Sequence, residues 1–355
     1  MIPFRRAPEI PEPSNSSSRN STDTTTVPSG SVTSLQRCAH CDAVQTPDRR
    51  LRRCAGCFGV MYCTKECQKR AWPEHKPICR AHARGYNDPE TRTDILSSGF
   101  RSPKEFFEGL MEFVDAHRWA FAAVAKAQML LSGGIEGGLD WLQNPPKVFH
   151  LHLERREPRG LPEESHLSCL FKVTGYSWVT VEEQRAMYGG SGAVEWDRIV
   201  TARIPDERDL AAADPHYVCC LPVFYCIDSV PGMHYTSFFP LCRSTVIPAV
   251  LARHGAAGQQ QWDAQKQSLV QDALDFSLLS IDTLFTLRRL DSSKDSRDVP
   301  LPGRFVRARG ARVWRPLFTD WRDYRPGLHR GLDVAMQGLR SDGGIKNTLS
   351  LFALL

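Results

Sequence analysis

This 355-residue chain has no long apolar run. The longest, Tyr217 to Ile227, is too short and too interrupted to span a bilayer, which argues against a membrane protein. Met1 to Arg6 carries two arginines and few apolar residues, so it supplies neither a secretory leader nor a convincing transit sequence. The Asn-x-Ser/Thr matches at Asn15 and Asn20 are therefore read as empty, and the protein is expected to be soluble and intracellular, in nucleus or cytoplasm. Familiar catalytic signatures are also missing. There is no Gly-rich phosphate loop, no paired-carboxylate site and no His-Glu-x-x-His. The loop Gly189 to Gly192 lacks the strand-turn-helix setting of a hydrolase elbow, so Ser191 is not a nucleophile candidate. A large excess of one sign of charge is missing too, since 45 Lys and Arg against 40 Asp and Glu leave a net value of only +5.

Against these absences stands one dense segment. It reads Cys38-x2-Cys41-x12-Cys54-x2-Cys57-x5-Cys63-x3-Cys67-x7-His75-x3-Cys79, eight thiol or imidazole groups in a short stretch. Eight ligands make two tetrahedral zinc sites, each closed by four protein ligands with no position left for water. A disulfide framework is the competing reading, and without a secretory leader it is weak. The two Cys-x-x-Cys pairs enclose Ala39-His40 and Ala55-Gly56, residues suited to a tight turn. Cys63 and Cys67, like His75 and Cys79, are spaced to share one face of a helical turn. Thr64 suits an N-cap and Pro73 a first helical position, whereas Pro77 predicts that the last helix is short.

The residues Tyr62-Cys63-Thr64-Lys65-Glu66-Cys67-Gln68, followed by Trp72 and His75-Lys76, closely resemble a MYND-type zinc finger. Spacing alone leaves the pairing of ligands open. The resemblance implies interleaved sites, with Cys38, Cys41, Cys63 and Cys67 on one Zn2+ and Cys54, Cys57, His75 and Cys79 on the other. It also implies a shallow groove for proline-containing peptides, with Gln68 and Trp72 facing the ligand. An indole beside an amide suits that task, because proline rings pack on aromatic faces, although Trp72 could equally serve the small core of such a domain.

Residues 37 to 86 hold eleven Lys or Arg against four Asp or Glu. A nucleic-acid patch at Arg49, Arg50, Arg52 and Arg53 is weighed against a solvated loop lying near negative thiolates, and the loop is preferred. The partner that the resemblance implies is a protein with a proline-containing motif.

The rest of the chain predicts an α+β fold. Residues 1–36, rich in Pro, Ser and Thr, read as a disordered tail; 37–82 as the finger; 83–101 as a polar linker; 102–290 as an α+β domain; and 291–355 as a basic, loop-rich end. Ser102-Pro103-Lys104-Glu105 is a capping box opening one long amphipathic helix that runs to Gly133-Gly134. His117 lies on or beside its apolar stripe and reads as a core histidine. Strands are expected at Val148 to Arg155, Leu167 to Val181 with a kink at Gly175, Tyr217 to Asp228 and Tyr235 to Leu241. A second long helix is expected over Gln259 to Leu290. A third metal site among the remaining cysteines, Cys169, Cys219, Cys220, Cys226 and Cys242, with His216 and His234 nearby, is weighed against buried strand cysteines, and the latter are preferred because the spacing fits no ligand pattern.

MYND fingers are also found inserted in SET-domain lysine methyltransferases. Those enzymes carry an Asn-His motif near the cofactor, and none of the five asparagines here is followed by His. The layout, one finger ahead of an α+β region, resembles fungal proteins of unassigned activity. The expected function is therefore a zinc-stabilised interaction protein without catalytic residues, the alternative being an enzyme in the larger domain that uses the finger for docking.

Overall fold

A computed structural model describes residues 38–41, 43, 51–58, 60–134, 137–157, 167–187, 196–197, 207–212, 214–231, 233–243, 266–289, 299–308, 311–340 and 344–354. The tail 1–36, Arg49, Arg50, Ser191 and the start of the second predicted helix, including Trp262, lie outside them.

The chain forms a small finger and a larger mixed domain of helices and sheets. The finger is a short hairpin, β1 (Arg52–Arg53) and β2 (Met61–Tyr62), followed by helix α1 (Lys65–Asn87). Helix α1 is 23 residues long and runs straight through Pro73 and Pro77, contrary to the short last helix expected. Its ligands Cys67, His75 and Cys79 recur at helical spacing, so metal bonds can brace the turns that the prolines weaken. The segment expected as a polar linker is helical as well. Asp88 caps α2 (Pro89–Ser97) by accepting from the Thr91 N–H at 3.0 Å, and Ile95 is buried in the main core.

The capping box at Ser102 opens a helix as predicted, with one change. Ser102 Oγ accepts from the Glu105 N–H at 3.2 Å, but Glu105 reaches back to the N–H of Arg101 instead, at 2.7 Å. The long helix is two helices, α3 (Pro103–Ala116) and α4 (Arg118–Gly133), broken at His117. His117 leaves helical geometry at φ −102° and ψ 15°. Its buried imidazole Nε2 donates to the Ser168 carbonyl at 2.8 Å, a bond that a straight helix would not aim. A short helix α5 (Gly138–Gln143) leads into the sheet.

Four strands form the main sheet: β3 (Lys147–Arg155), β4 (Phe171–Thr180), β5 (Tyr217–Ile227) and β6 (His234–Cys242). Their order is β4-β3-β5-β6, with β3 and β5 parallel and the outer pairs antiparallel. The predicted kink is a bulge. His152 faces Gly175 and Leu153 faces Val173, so Thr174 is the extra residue. A helix α6 (Val181–Met187) follows β4. Alternation puts Phe149, Leu151 and Leu153 of β3 and Val223, Tyr225 and Ile227 of β5 into one core with α3, α4 and the helix over residues 266–282.

That last helix, α7, ends earlier than predicted, and Thr286–Arg288 is already strand β7. With β8 (Leu301–Ala308) and β9 (Ala311–Pro316) it makes an antiparallel three-stranded sheet, followed by α8 (Arg330–Gln337) and α9 (Gly344–Leu354). The region expected to be loop-rich thus builds a second core around Phe276, Phe285, Trp314 and Trp321. Helix α7 serves both cores, with Leu274 and Leu278 in the first and Phe276 in the second. A half-buried ion pair, Arg156 to Asp282 at 3.1 Å, ties the end of β3 to this helix.

Candidate metal centre

Three local devices build the finger. Cys38 and Cys41 sit on a turn held by Cys38 N–H to Ala43 O at 2.9 Å and Ala39 N–H to Met61 O at 2.8 Å. Cys54 and Cys57 sit on the turn between β1 and β2, which closes by Phe58 N–H to Cys54 O at 2.9 Å and puts Phe58 at φ 55°. Cys63 follows β2 just before α1 and is not helical, contrary to the helical pair expected for it. Thr64 does cap the helix, its Oγ1 accepting from the Cys67 N–H at 3.1 Å.

These pieces interleave. Sulfur atoms of Cys41, Cys63 and Cys67 lie 3.4 to 3.8 Å apart, and Cys38 completes a group whose ligand atoms are all within 4.8 Å. In the second group, His75 Nε2 is 3.4 Å from Cys54 Sγ and 3.5 Å from Cys57 Sγ, and Cys54 Sγ is 3.7 Å from Cys79 Sγ. Zinc–sulfur bonds of 2.3 Å at tetrahedral angles place sulfurs about 3.8 Å apart, so both groups have the dimensions of a closed zinc site. The donor set fits as well: the finger holds a four-cysteine site and a three-cysteine, one-histidine site for two zinc ions. All four ligands of the second group are buried, while Cys41 of the first is exposed.

Electrostatics explain why a cation belongs there. Burial pushes the Cys38 thiol up, but backbone donors of Cys63, Cys41 and His40 overcome this and bring it down to about 6. Hydrogen bonding with the Cys67 and Cys41 thiols pushes Cys63 up to about 12. The second group divides the same way, with Cys54 lowered and Cys79 raised. Thiols packed this closely share protons, since not all can ionise together without a compensating cation. Burial lowers His75, favouring the neutral imidazole that a metal takes. It also pushes Tyr62, beside four of these thiolates, up to about 12.

Gln68 and Trp72 lie one turn apart on α1. The Gln68 amide is 4.0 Å from Cys54 Sγ, and the Trp72 ring, 38% exposed, stands edge-on to His75 at 5.9 Å. Of the arginines weighed for nucleic acid, Arg52 is exposed, whereas Arg53 donates to Met111 Sδ on α3 at 3.1 Å. Phe58 packs against the main core beside it, so this side of the hairpin is a docking face to the larger domain. The Arg53 contact joins residues far apart in sequence, and no local pattern announces it. No helix is long and apolar enough to cross a membrane among the described residues.

Residues 34–79 match the MYND finger family. Among curated proteins, the chain is 26% identical over 176 residues to N-lysine methyltransferase SMYD2 of Homo sapiens, covering 45% of this chain and 36% of that protein. It is 36% identical over 167 residues to N-lysine methyltransferase SMYD2 of Gallus gallus, covering 45% and 35%. A match to Histone-lysine N-methyltransferase SMYD3 of Homo sapiens is shorter, 42% over 40 residues, covering 11% and 9%. The chain thus spans about a third of the length of the SMYD2 relatives. No solved structure matches. These relatives overturn the expectation of an interaction protein without catalysis: they are enzymes, and the SMYD2 matches are far longer than the finger. The absence of an Asn-His dipeptide is a weak argument against that class, because a short motif does not stand for a whole domain.

Proposed function

We propose that this chain is an enzyme acting on protein lysine, with the zinc finger as its docking device. The observation that carries the reading is the length of the lysine-methyltransferase match. At 176 residues it must extend well beyond the 46 positions of the finger into the larger domain. The finger's part follows from its surface. Trp72 is among the few large apolar side chains left exposed among the described residues, and Gln68 lies one turn away, a platform suited to an extended proline-containing segment. In this reading Cys38, Cys41, Cys63 and Cys67, with Cys54, Cys57, His75 and Cys79, hold the platform rigid through zinc and take no part in chemistry, because closed sites leave no coordination position open. Among SET-type enzymes the resemblance places an Asn-His pair near the methyl donor. This chain lacks it, so no step of a transfer is assigned to a residue.

The test uses the full, zinc-loaded chain with S-adenosylmethionine carrying a labelled methyl group and mixtures of histones and lysine-containing peptides with and without a proline-rich segment. Label on lysine, faster for the proline-bearing peptides and slowed by Trp72→Ala, is the expected result. Absence of both label and calorimetric binding of the methyl donor would reject the enzyme reading.

A further inference from the structure

The face of the four-stranded sheet turned away from the helical core carries a row of ligand side chains that no single strand reveals. His152 of β3 lies directly opposite Cys226 of β5, and Cys226 directly opposite His234 of β6. Leu151, Leu153, Tyr225 and Ile227, their chain neighbours, point into the core, so alternation turns His152 and Cys226 to the other face. Strands are about 4.8 Å apart, which sets the cysteine at the centre with one imidazole on either side.

A second observation concerns aim. His152 Nδ1 lies 3.2 Å from Asp228 Oδ1, and Asp228 Oδ2 accepts from Thr174 Oγ1 at 2.6 Å. Thr174 is the extra residue of the β4 bulge, and bulges re-aim side chains in this way. A carboxylate on one ring nitrogen fixes the tautomer and turns the lone pair of the other outward, the arrangement that orients metal-bound histidines. A surface His–Asp pair alone would need neither the bulge nor a thiol alongside.

We propose that His152, Cys226 and His234 form a third metal site, for a borderline divalent ion such as Zn2+, with Asp228 and Thr174 as positioning residues. Two imidazoles and a thiolate suit that ion class. Three protein ligands leave a fourth position for water, the composition of a site that does chemistry and the opposite of the finger's closed tetrads. Unlike the finger's ligands, these three are not already drawn to within 4.8 Å of one another. The His234 ring lies stacked on Phe224, with centroids 4.9 Å apart and planes at 28°, so metal binding requires it to leave that contact and turn toward Cys226. The proposal stands whether or not the chain modifies lysine.

Zinc per chain, measured by elemental mass spectrometry on the full-length protein after desalting, is expected to be three equivalents, falling to two in His152→Ala and in Cys226→Ser. Co2+ added to protein carrying two zinc ions should give the visible absorption of tetrahedral cobalt and a thiolate charge-transfer band, both lost in either variant. Asp228→Asn should weaken cobalt binding roughly 10- to 100-fold while leaving the spectrum's shape. His152 is one-third exposed, so its replacement leaves the fold intact by circular dichroism even where loss of half-buried Cys226 does not. Two equivalents with no cobalt spectrum, or a third equivalent that survives His152→Ala in a folded protein, would overturn the proposal.

Discussion

Gly56 illustrates how tightly single residues are held in the finger. A Cβ there would meet Cys79 Sγ at 2.8 Å and Cys54 Sγ at 3.9 Å, so the turn between Cys54 and Cys57 needs glycine for close approach of sulfur to backbone. The eight clustered ligand types are legible in the sequence because their spacing is local and their chemistry is narrow. Asp228 and Thr174 are not legible, since their meeting with His152 depends on strand register and on a bulge. At this scale the two proposed roles in the finger separate cleanly. Cys54→Ser should cost one equivalent of zinc and abolish capture of proline-containing peptides, because structural zinc supplies on the order of 10 kcal/mol of folding free energy. Trp72→Ala should leave metal content unchanged and lower peptide affinity alone. Zinc loss in the Trp72 variant, read by elemental analysis, would make the indole structural and remove the groove.

Helix boundaries depart furthest from the sequence pattern, and each departure has a physical cause. Proline is a sound stop signal in a free helix, yet α1 passes two of them while three of its residues serve the metal groups. Between α3 and α4 the apolar stripe continues across the break, so periodicity could not show it; the turn at His117 follows from a hydrogen bond to a carbonyl 51 residues away. That histidine also sets a pH dependence. Burial holds it down to about 4, aided by the nearby Arg156 and Arg288 cations, with the Ser168 carbonyl opposing, and its Nδ1 has no partner among the described residues. Its folded pKa lies below an unfolded value of about 6.5, so the unfolded chain binds the extra proton. Its contribution is complete above about pH 6.5 and is lost as pH falls toward 4, up to about 3 kcal/mol. Urea unfolding across that window should show the loss, and His117→Gln, which keeps a donor for Ser168, should flatten it. An unchanged slope in the variant would assign the dependence to other groups.

On the scale of the whole molecule, the strands of the main sheet were readable because Val, Phe, Tyr and Leu alternate in them. The second sheet was not, because β8 and β9 interleave Arg304, Arg307, Arg312 and Arg315 with their apolar residues and look like a basic loop. Helix α7 is shared by the two cores, so they are expected to unfold as one cooperative unit. A chain truncated after residue 290, the boundary suggested by composition, would bare Phe276 and Phe285 and is expected to aggregate, whereas the full chain should melt in a single transition for both cores. Calorimetry on the two forms checks this, and a folded, monomeric truncation would show the cores to be independent. Helix α1, finally, acts as a ruler. Its 23 residues span roughly 34 Å at 1.5 Å each, with Trp72 about a third of the way along and α2, anchored in the core by Ile95, beyond its far end. A tether of that stiffness does not sweep a captured partner through a volume. On the proposed reading it presents the partner at one distance and bearing, so the interval between docking segment and target residue becomes a second password beside the sequence of either.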